Sequence, residues 1–180
     1  MLYSLYAGKH IDLRFGDESH FSRMPYIPYG WMKKGTQLGI PSQKGKAMNV
    51  FGLMSPAMEL TSFNIKGNVN AAKIIQCIDS FAALITKVTI IVLDNSPVHT
   101  SAEFKEQIPK WEELGLFIFF LPTYSPHLNI IEILWRKIKY EWLTPKDYES
   151  KETLVDAITN ILIKFGVDYK INFKLEFKLS

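Results

Sequence analysis

The chain has a single cysteine, Cys77, among its 180 residues, and this scarcity excludes two classes of site. One thiol cannot form an internal disulfide, and it cannot supply a cysteine-based zinc site. Cys77 lies among apolar residues such as Ile74 and Phe81. This setting predicts a buried core thiol rather than a reactive one.

Long apolar runs and a strong charge imbalance are also missing. No run approaches the ~20 residues needed to span a bilayer, and the first residues lack the basic-then-apolar order of a signal peptide. We therefore expect a soluble, cytoplasmic protein with no membrane partner. The net charge of +3 permits a polyanionic partner without arguing for one. Hydrophobic residues make up 47% of the chain and aromatic residues 13%, enough for the core of one ordered domain.

Three strands are predicted in the first part of the chain. Residues 11–17 alternate between apolar and polar side chains, which is the period of a strand. Residues 47–54 and 58–65 predict two more strands around the turn at Ser55-Pro56-Ala57. We expect these three strands to form an antiparallel meander.

The second part of the chain predicts an α/β arrangement. Residues 88–93 and 116–121 are continuous apolar runs, typical of strands covered on both faces. Helical patterns separate and follow them, at residues 70–85, 101–114 (with Pro109 expected to kink or split it), 131–144 and 151–165. The order predicts one domain over residues 1–166, an α/β fold with a five-stranded mixed sheet of three antiparallel and then parallel strands, flanked by helices.

The last stretch, residues 167–180, alternates strictly between apolar and mostly polar side chains. This pattern predicts an amphipathic strand, which needs a cover. The strand would add to an edge of this domain or to another copy of the protein, and the sequence leaves both open.

Three carboxylates occupy places that such a fold would bring together. Asp17 ends the first strand, Asp94 follows the fourth at the sheet edge where α/β folds bind ligands, and Glu132 opens the helix after the fifth. Each has a plain structural alternative: the aspartates would close turns, and Glu132 would complete a capping box with Asn129 as N-cap. Three converging acids repel unless divalent cations neutralise them. Oxygen ligands without cysteine or histidine favour Mg²⁺ or Mn²⁺ over zinc.

Four segments carry a resemblance to a known family. They are FGDES at residues 15–19, LDNSPVHTS at 93–101, LPTYSPHLN at 121–129 and IEILW at 131–135. In this order they make residues 11–146 similar to the catalytic domain of DDE transposases of the Tc1/mariner and IS630 group. The resemblance implies a ribonuclease H-like fold.

The resemblance also implies a set of functional residues. It gives Asp17, Asp94 and Glu132 the catalytic and metal-binding roles, with two Mg²⁺ or Mn²⁺ ions expected. Asn95 and His99 would lie near Asp94, orienting it or touching a phosphate; for His99 a purely structural role explains the pattern equally well. The basic residues expected to contact the DNA backbone are Lys33, Lys34, Lys44, Lys46, Arg136, Lys137 and Lys139.

The implied function is cut-and-paste DNA transposition, by metal-dependent strand cleavage and 3′-hydroxyl strand transfer. The partners would be the double-stranded DNA of transposon ends and target in the nucleoid, and a second copy in a homodimer, with residues 167–180 as one candidate contact. Two other classes fit the same residues. One is a ribonuclease H-like nuclease that cuts without joining, and the other is an inactive DNA-binding or dimerisation remnant, which would need no divalent cation.

Three features depart from the family pattern. Ile130 stands where the family usually has proline, which weakens the preset helix start. Thirty-seven residues separate Asp94 from Glu132, at or slightly above the usual interval. The upstream helix-turn-helix region that recognises element ends is absent from this sequence. We therefore expect a catalytic fragment, one product of a split reading frame, or a decayed copy.

Overall fold

The computed structural model describes residues 2–26, 34–35, 45–122 and 125–172, without the side chains of Lys46 and Pro126. Five strands form one sheet in the order β3-β2-β1-β4-β5. The first three strands pair antiparallel, and β4 runs parallel to both β1 and β5. The strands are β1 (Asp12–Ser22), β2 (Lys46–Met54), β3 (Leu60–Ile65), β4 (Thr89–Leu93) and β5 (Leu116–Phe120). The predicted five-stranded mixed sheet is confirmed.

Seven α-helices flank this sheet in the described part of the chain. They are α1 (Leu2–Ala7), α2 (Ala71–Ala82), α3 (Pro97–Thr100), α4 (Ala102–Lys105), α5 (Ile108–Glu113), α6 (Ile131–Lys137) and α7 (Lys151–Lys164). The predicted break at Pro109 is confirmed, because the proline stands in the first turn of a separate helix, α5, where its missing N–H costs no helical bond. A π-helical turn, Ile138–Trp142, continues α6.

Two apolar cores cover the two faces of the sheet. Helices α2, α4 and α5 pack on one face, where Phe51, Leu53 and Leu93 are fully buried. Helices α6 and α7 pack on the other, over Leu13 and Phe15. Cys77 belongs to the first core, and burial raises the pKa of its thiol to about 11. The predicted buried core thiol is confirmed.

The predicted C-terminal strand is wrong for residues 167–172. Gly166 adopts a φ of +86° and its N–H donates to the Tyr169 carbonyl at 2.8 Å, so the chain turns back on itself. Ile171 is then 4% exposed and donates its N–H to the Met58 sulfur at 3.5 Å. Residues 173–180 lie outside the described part of the chain.

None of the described helices combines the length and hydropathy required to cross a membrane.

Candidate active site

Asp17 lies inside a strand rather than at its end, because β1 continues to Ser22. It nevertheless stands where the parallel part of the sheet stops. The last β1–β4 pair is Phe15 opposite Val92, so continuing this register by two residues places Asp17 beside Asp94. The long antiparallel pairing with β2 carries β1 past that point.

Helix α6 packs directly over the part of the sheet that holds Asp17. The residue paired with Asp17 on β2 is Gly52. A Cβ added to Gly52 would lie 2.9 Å from Ile131 Cδ1 and 2.9 Å from the Trp135 ring, closer than side-chain atoms normally approach. The absence of a side chain at Gly52 therefore lets the first turn of α6, which carries Glu132, sit close to the sheet.

The start of α6 is held by a contact that differs from the predicted cap. The N-cap residue is Ile130, which has no side-chain capping bond. Asn129 is 3% exposed, and its Nδ2 donates to the Gly16 carbonyl at 3.0 Å. Its Oδ1, the atom that a cap would use, has no hydrogen-bond partner among the described residues. The capping-box alternative for Glu132 is therefore wrong.

Asp94 follows β4 immediately and closes a turn, as its structural alternative predicted. Its Oδ1 accepts the N–H of Ser96 at 3.1 Å and lies 2.8 Å from Nδ1 of His99. The hydrogen bond from His99, followed by that from Ser96, lowers the pKa of Asp94 against the opposing effect of burial. The turn and a ligand role are compatible, because both contacts use the same carboxylate oxygen.

The three acids share one electrostatic environment. Burial raises the pKa of Asp17 to about 8, and the charges of Glu132, Glu18 and Asp94 add to this. Burial also raises the pKa of Glu132, with Asp94 and Glu18 adding and Lys139 and Arg136 opposing. No three His, Cys, Asp or Glu side chains of the described residues converge tightly enough to form a ready metal site. The acids are thus neighbours that repel one another.

His99 is fully buried, and both of its ring nitrogens face carboxylates. Nδ1 contacts Asp94 at 2.8 Å, and Nε2 lies 3.3 Å from Glu18 Oε2. Burial alone would lower the pKa of His99, but the hydrogen bond to Asp94, the close contact with Glu18 and the negative charges of both carboxylates outweigh it and raise the pKa to about 9. Glu18 was missed from sequence, although alternation along β1 places it on the face opposite Asp17.

Asn95 has a different contact from the predicted one. Its Nδ2 donates to the Leu121 carbonyl, which joins the end of β4 to the end of β5. This contact joins the ends of β4 and β5 behind Asp94, and the role of Asn95 in orienting Asp94 or touching a phosphate stays a prediction.

The predicted basic residues fall into two groups. Lys139 is half-buried, with Nζ 5.5 Å from the Phe21 ring centroid and 5.3 Å from that of Tyr26. Burial lowers the pKa of Lys139, and the charges of Glu132 and Asp17 oppose this, so its ammonium group faces the acids. Arg136 is exposed on the same helix.

The remaining lysines are not brought to the acids by any described contact. Lys137 pairs with Glu141 at 2.5 Å. Lys34 is exposed. Lys33, Lys44 and the side chain of Lys46 lie outside the described part of the chain.

The donor set at this edge suits a hard divalent cation. It offers carboxylate oxygens from Asp17, Asp94 and Glu132, while both nitrogens of His99 are already engaged by Asp94 and Glu18. Oxygen-only ligation fits Mg²⁺ or Mn²⁺ and not zinc. Burial and, after it, the charges of Glu132, Glu18 and Asp94 raise the pKa of Asp17, and a bound cation would favour its ionised form against both.

Comparison with known proteins adds a family and a fold. The family model described as DDE superfamily endonuclease matches residues 12–155. No curated protein matches the chain significantly.

Among solved structures, a Mos1 mariner paired-end complex with Mn is 19% identical with a TM-score of 0.58, covering 90% of this chain and 52% of that one. The catalytic domain of Mos1 mariner transposase is 17% identical with a TM-score of 0.55, covering 90% and 76%. The catalytic core domain of BIV integrase is 14% identical with a TM-score of 0.50, covering 83% and 82%.

These likenesses establish the predicted ribonuclease H-like fold. The chain spans about half the length of the Mos1 chains in the strand transfer complex and in the complex with Mn, 52% in each case.

Proposed function

The chain belongs to the DDE superfamily endonuclease family, and we propose that it is the catalytic domain of a Tc1/mariner-type transposase. It would cleave DNA at the ends of a mobile element and join the freed 3′ ends to target DNA. The observation that supports this proposal is the electrostatic effect that Glu132 and Asp94 have on Asp17, and Asp94 on Glu132, although the three acids lie on separate segments of the chain.

Asp17, Asp94 and Glu132 would hold the divalent cations, Mg²⁺ or Mn²⁺ and two in number. Such ions, when bound, lower the pKa of the attacking hydroxyl and stabilise charge on the leaving oxygen. The carboxylates contribute negative charge in a partly buried place, which raises their affinity for a cation. His99 keeps the Asp94 carboxylate in one orientation through the 2.8 Å contact.

Cleavage and joining both proceed without a covalent bond between the protein and the DNA. In cleavage, a water oxygen attacks phosphorus, the bond from phosphorus to the 3′ oxygen breaks, and the leaving oxygen takes up a proton. In joining, that 3′-hydroxyl attacks a target phosphodiester, so one phosphodiester forms as another breaks. The same three acids serve both steps, since each step is an exchange of oxygens at phosphorus.

The DNA would lie across the α6 side of the acids. Lys139 presents its ammonium group there between two aromatic rings, and Arg136 is exposed on the same helix. Contacts of this kind bind phosphates and fix the register of the DNA without reading its sequence. Two similar structures are named as a Mos1 paired-end complex with the left transposon end and a Mos1 strand transfer complex, and these names support DNA as the partner. The proposal also includes a homodimer that acts on double-stranded DNA at the nucleoid in the cytoplasm.

The proposal is tested with purified protein and supercoiled plasmid, which needs no knowledge of the element ends. We expect nicking that requires Mg²⁺ or Mn²⁺, and Asp94→Asn should abolish it while leaving the circular dichroism spectrum unchanged. Asp12→Asn is the matched control, because Asp12 lies at the far end of the same sheet region and pairs with Arg14 at 2.7 Å. Nicking that survives in Asp94→Asn, or that needs no cation, would defeat the assignment.

A second assay separates transposase from nuclease. A duplex with a free 3′-hydroxyl at an element end is incubated with plasmid and Mn²⁺, and covalent joining is measured. Cleavage without joining would favour the simple nuclease, and neither reaction would favour the inactive remnant.

A further inference from the structure

Glu18 is an acid of the same strand as Asp17 but projects to the opposite face of the sheet. Its partner across β2 is Phe51, a fully buried member of the α2, α4 and α5 core. Asp17 is paired with Gly52 under α6. One strand thus presents neighbouring carboxylates to the two sides of the sheet.

The buried oxygen of Glu18, Oε2, lies close to His99 Nε2. Glu18 Oε2 and His99 Nε2 are both shielded from solvent, and neither has a fully aligned hydrogen bond among the described residues. They lie 3.3 Å from each other. Buried polar atoms without a partner cost free energy, so each of these atoms depends on the other.

The His99 ring is fixed by its surroundings. It is fully buried, with the Phe51 ring centroid at 6.5 Å and the Phe104 centroid at 5.8 Å. Its two nitrogens therefore link Glu18 on one side to Asp94 Oδ1 on the other. Ser96 N–H also binds Oδ1, so the bonds from His99 Nδ1 and Ser96 N–H both engage Oδ1 and neither occupies Oδ2.

We propose that Glu18 is a positioning residue for the catalytic site. It holds the imidazole of His99 so that Nδ1 fixes Asp94 with one oxygen engaged and the other presented to the cation. This inference rests on the proposed function, since it concerns how one of the three acids is oriented toward a metal ion. Glu18 acts through His99 and does not itself touch the ion.

A purely stabilising role explains the pair less well. A buried ion pair often contributes no more stability than apolar residues of the same volume, because desolvation offsets the attraction. Partners that orient a metal ligand through a hydrogen bond, in contrast, change metal affinity by about 10–100-fold when removed. A stabilising role of Glu18 would change the free energy of unfolding, whereas a positioning role would change the affinity for the metal ion.

The test uses Mn²⁺ alone with the metal-stripped full chain, in the absence of DNA, and measures binding by isothermal titration calorimetry. We expect Glu18→Gln to weaken Mn²⁺ binding by about 10-fold. Asp12→Asn, at the other end of β1, should bind as the wild type does. A Glu18→Gln affinity equal to that of the wild type would overturn the inference.

A double-mutant cycle separates positioning from direct ligation. If Glu18 acts through His99, then Glu18→Gln adds no further loss of Mn²⁺ affinity in a His99→Gln background. Fully additive losses would mean that Glu18 reaches the ion independently, which also overturns the inference. Should Glu18→Gln fail to fold, Glu18→Asp replaces it, because it keeps the charge and withdraws the carboxylate by one methylene; wild-type affinity in that variant would count against positioning.

Failure of this inference is distinguishable from failure of the proposed function. If the wild type binds no Mn²⁺, or if Asp94→Asn binds Mn²⁺ as tightly as the wild type, the proposed metal site is wrong. The proposed function and the inference about Glu18 are then both overturned. If Asp94→Asn loses binding while Glu18→Gln keeps it, only the role of Glu18 is wrong.

Discussion

Asn129 donates its side-chain N–H to the backbone carbonyl of Gly16 at 3.0 Å, and this contact joins the segments that carry two of the proposed catalytic acids. Gly16 directly precedes Asp17 on β1, and Asn129 stands three residues before Glu132 at the start of α6. The position of one acid relative to the other is therefore set by a buried hydrogen bond between their neighbours. Asn129 has this role in place of the helix cap that the sequence suggested.

We expect Asn129→Ala to lower nicking activity at least 10-fold, because α6 would lose its fixed position over β1. Removing the donor also leaves the Gly16 carbonyl buried and unpaired, at a cost of about 1–3 kcal/mol in the free energy of unfolding. Asn70→Ala is the matched control, because it removes the N-cap of α2, whose Oδ1 accepts the Lys73 N–H at 3.1 Å, for about 1 kcal/mol. Equal activity losses in the two variants, measured at matched folded fractions, would show that Asn129 matters only for stability.

The raised pKa of Asp17 makes the stability of the cation-free protein depend on pH. Its pKa is about 8 in the folded chain, against an ordinary value of 3.8. Between these values the folded state binds more protons than the unfolded state, so stability falls as pH rises from about 4 to 8. Asp17→Asn removes a carboxylate that resists ionisation. We expect this variant to melt above the wild type at pH 8 in EDTA, by about 2–4 °C for each kcal/mol of repulsion relieved.

The melting temperatures of the same two proteins should approach each other at pH 4. There Asp17 is protonated in the folded chain and about 40% protonated in the unfolded chain, so little of the free-energy difference has developed. Adding Mn²⁺ should raise the melting temperature of the wild type more than that of the variant, because only binding to the folded state stabilises it. Differential scanning fluorimetry at both pH values measures this. A melting difference that is the same at pH 4 and pH 8 would contradict the assigned cause.

The sheet was predictable because its strands have strong local patterns. The apolar run ending at Leu93 predicted the covered strand β4, and the alternation before Asp17 predicted the first strand. The run ending at Leu121 predicted β5, but its expected coverage on both faces is wrong, because β5 is an edge strand with Phe117 40% and Phe119 45% exposed. The sequence could not show that β1 runs on to Ser22, since that length depends on pairing with β2. Helix α1 was missed because it is six residues long with none fully buried, too short for a periodic signal.

The prediction of a strand over residues 167–172 was wrong for a related reason. Alternation predicts a strand only when a neighbouring strand is available to pair with it. Gly166 instead turns residues 167–172 back, so that Tyr169 packs near Trp142 at 5.1 Å between ring centroids and Ile171 is buried.

The site was only partly predictable. Asp17 lies within β1 where the pairing with β4 stops. Asp94 follows β4 and Glu132 lies in the first turn of α6, and the topology alone brings these places together. Glu18 and Asn129 act through contacts with residues far away in the chain, and no local pattern encodes such contacts.

Gly52 provides a test of how closely α6 must approach the sheet. An alanine Cβ there would lie 2.9 Å from Ile131 and Trp135, and overpacking of this kind costs about 1–3 kcal/mol. We expect Gly52→Ala to displace the first turn of α6, with Glu132, and to reduce nicking at least 10-fold. Gly115→Ala is the control, because Gly115 has a φ of +82° and open space around its Cβ position, so it loses stability by backbone strain alone. Wild-type nicking in folded Gly52→Ala would mean that α6 tolerates the shift.

Lys139 should contribute to DNA binding as a single phosphate contact. Its ammonium group is held between the rings of Phe21 and Tyr26, so little side-chain entropy is lost when a phosphate replaces its interaction with Glu132. We expect Lys139→Gln to weaken binding to a random duplex and to reduce the slope of log affinity against log salt by about 1, the value for one phosphate. Lys164→Gln removes the same charge from α7, where Lys164 lies 3.5 Å from Asp168, and should leave that slope unchanged. If both variants reduce the slope equally, DNA affinity depends only on the net charge of the chain. The position of Lys139 between the rings of Phe21 and Tyr26 would then make no contribution to binding.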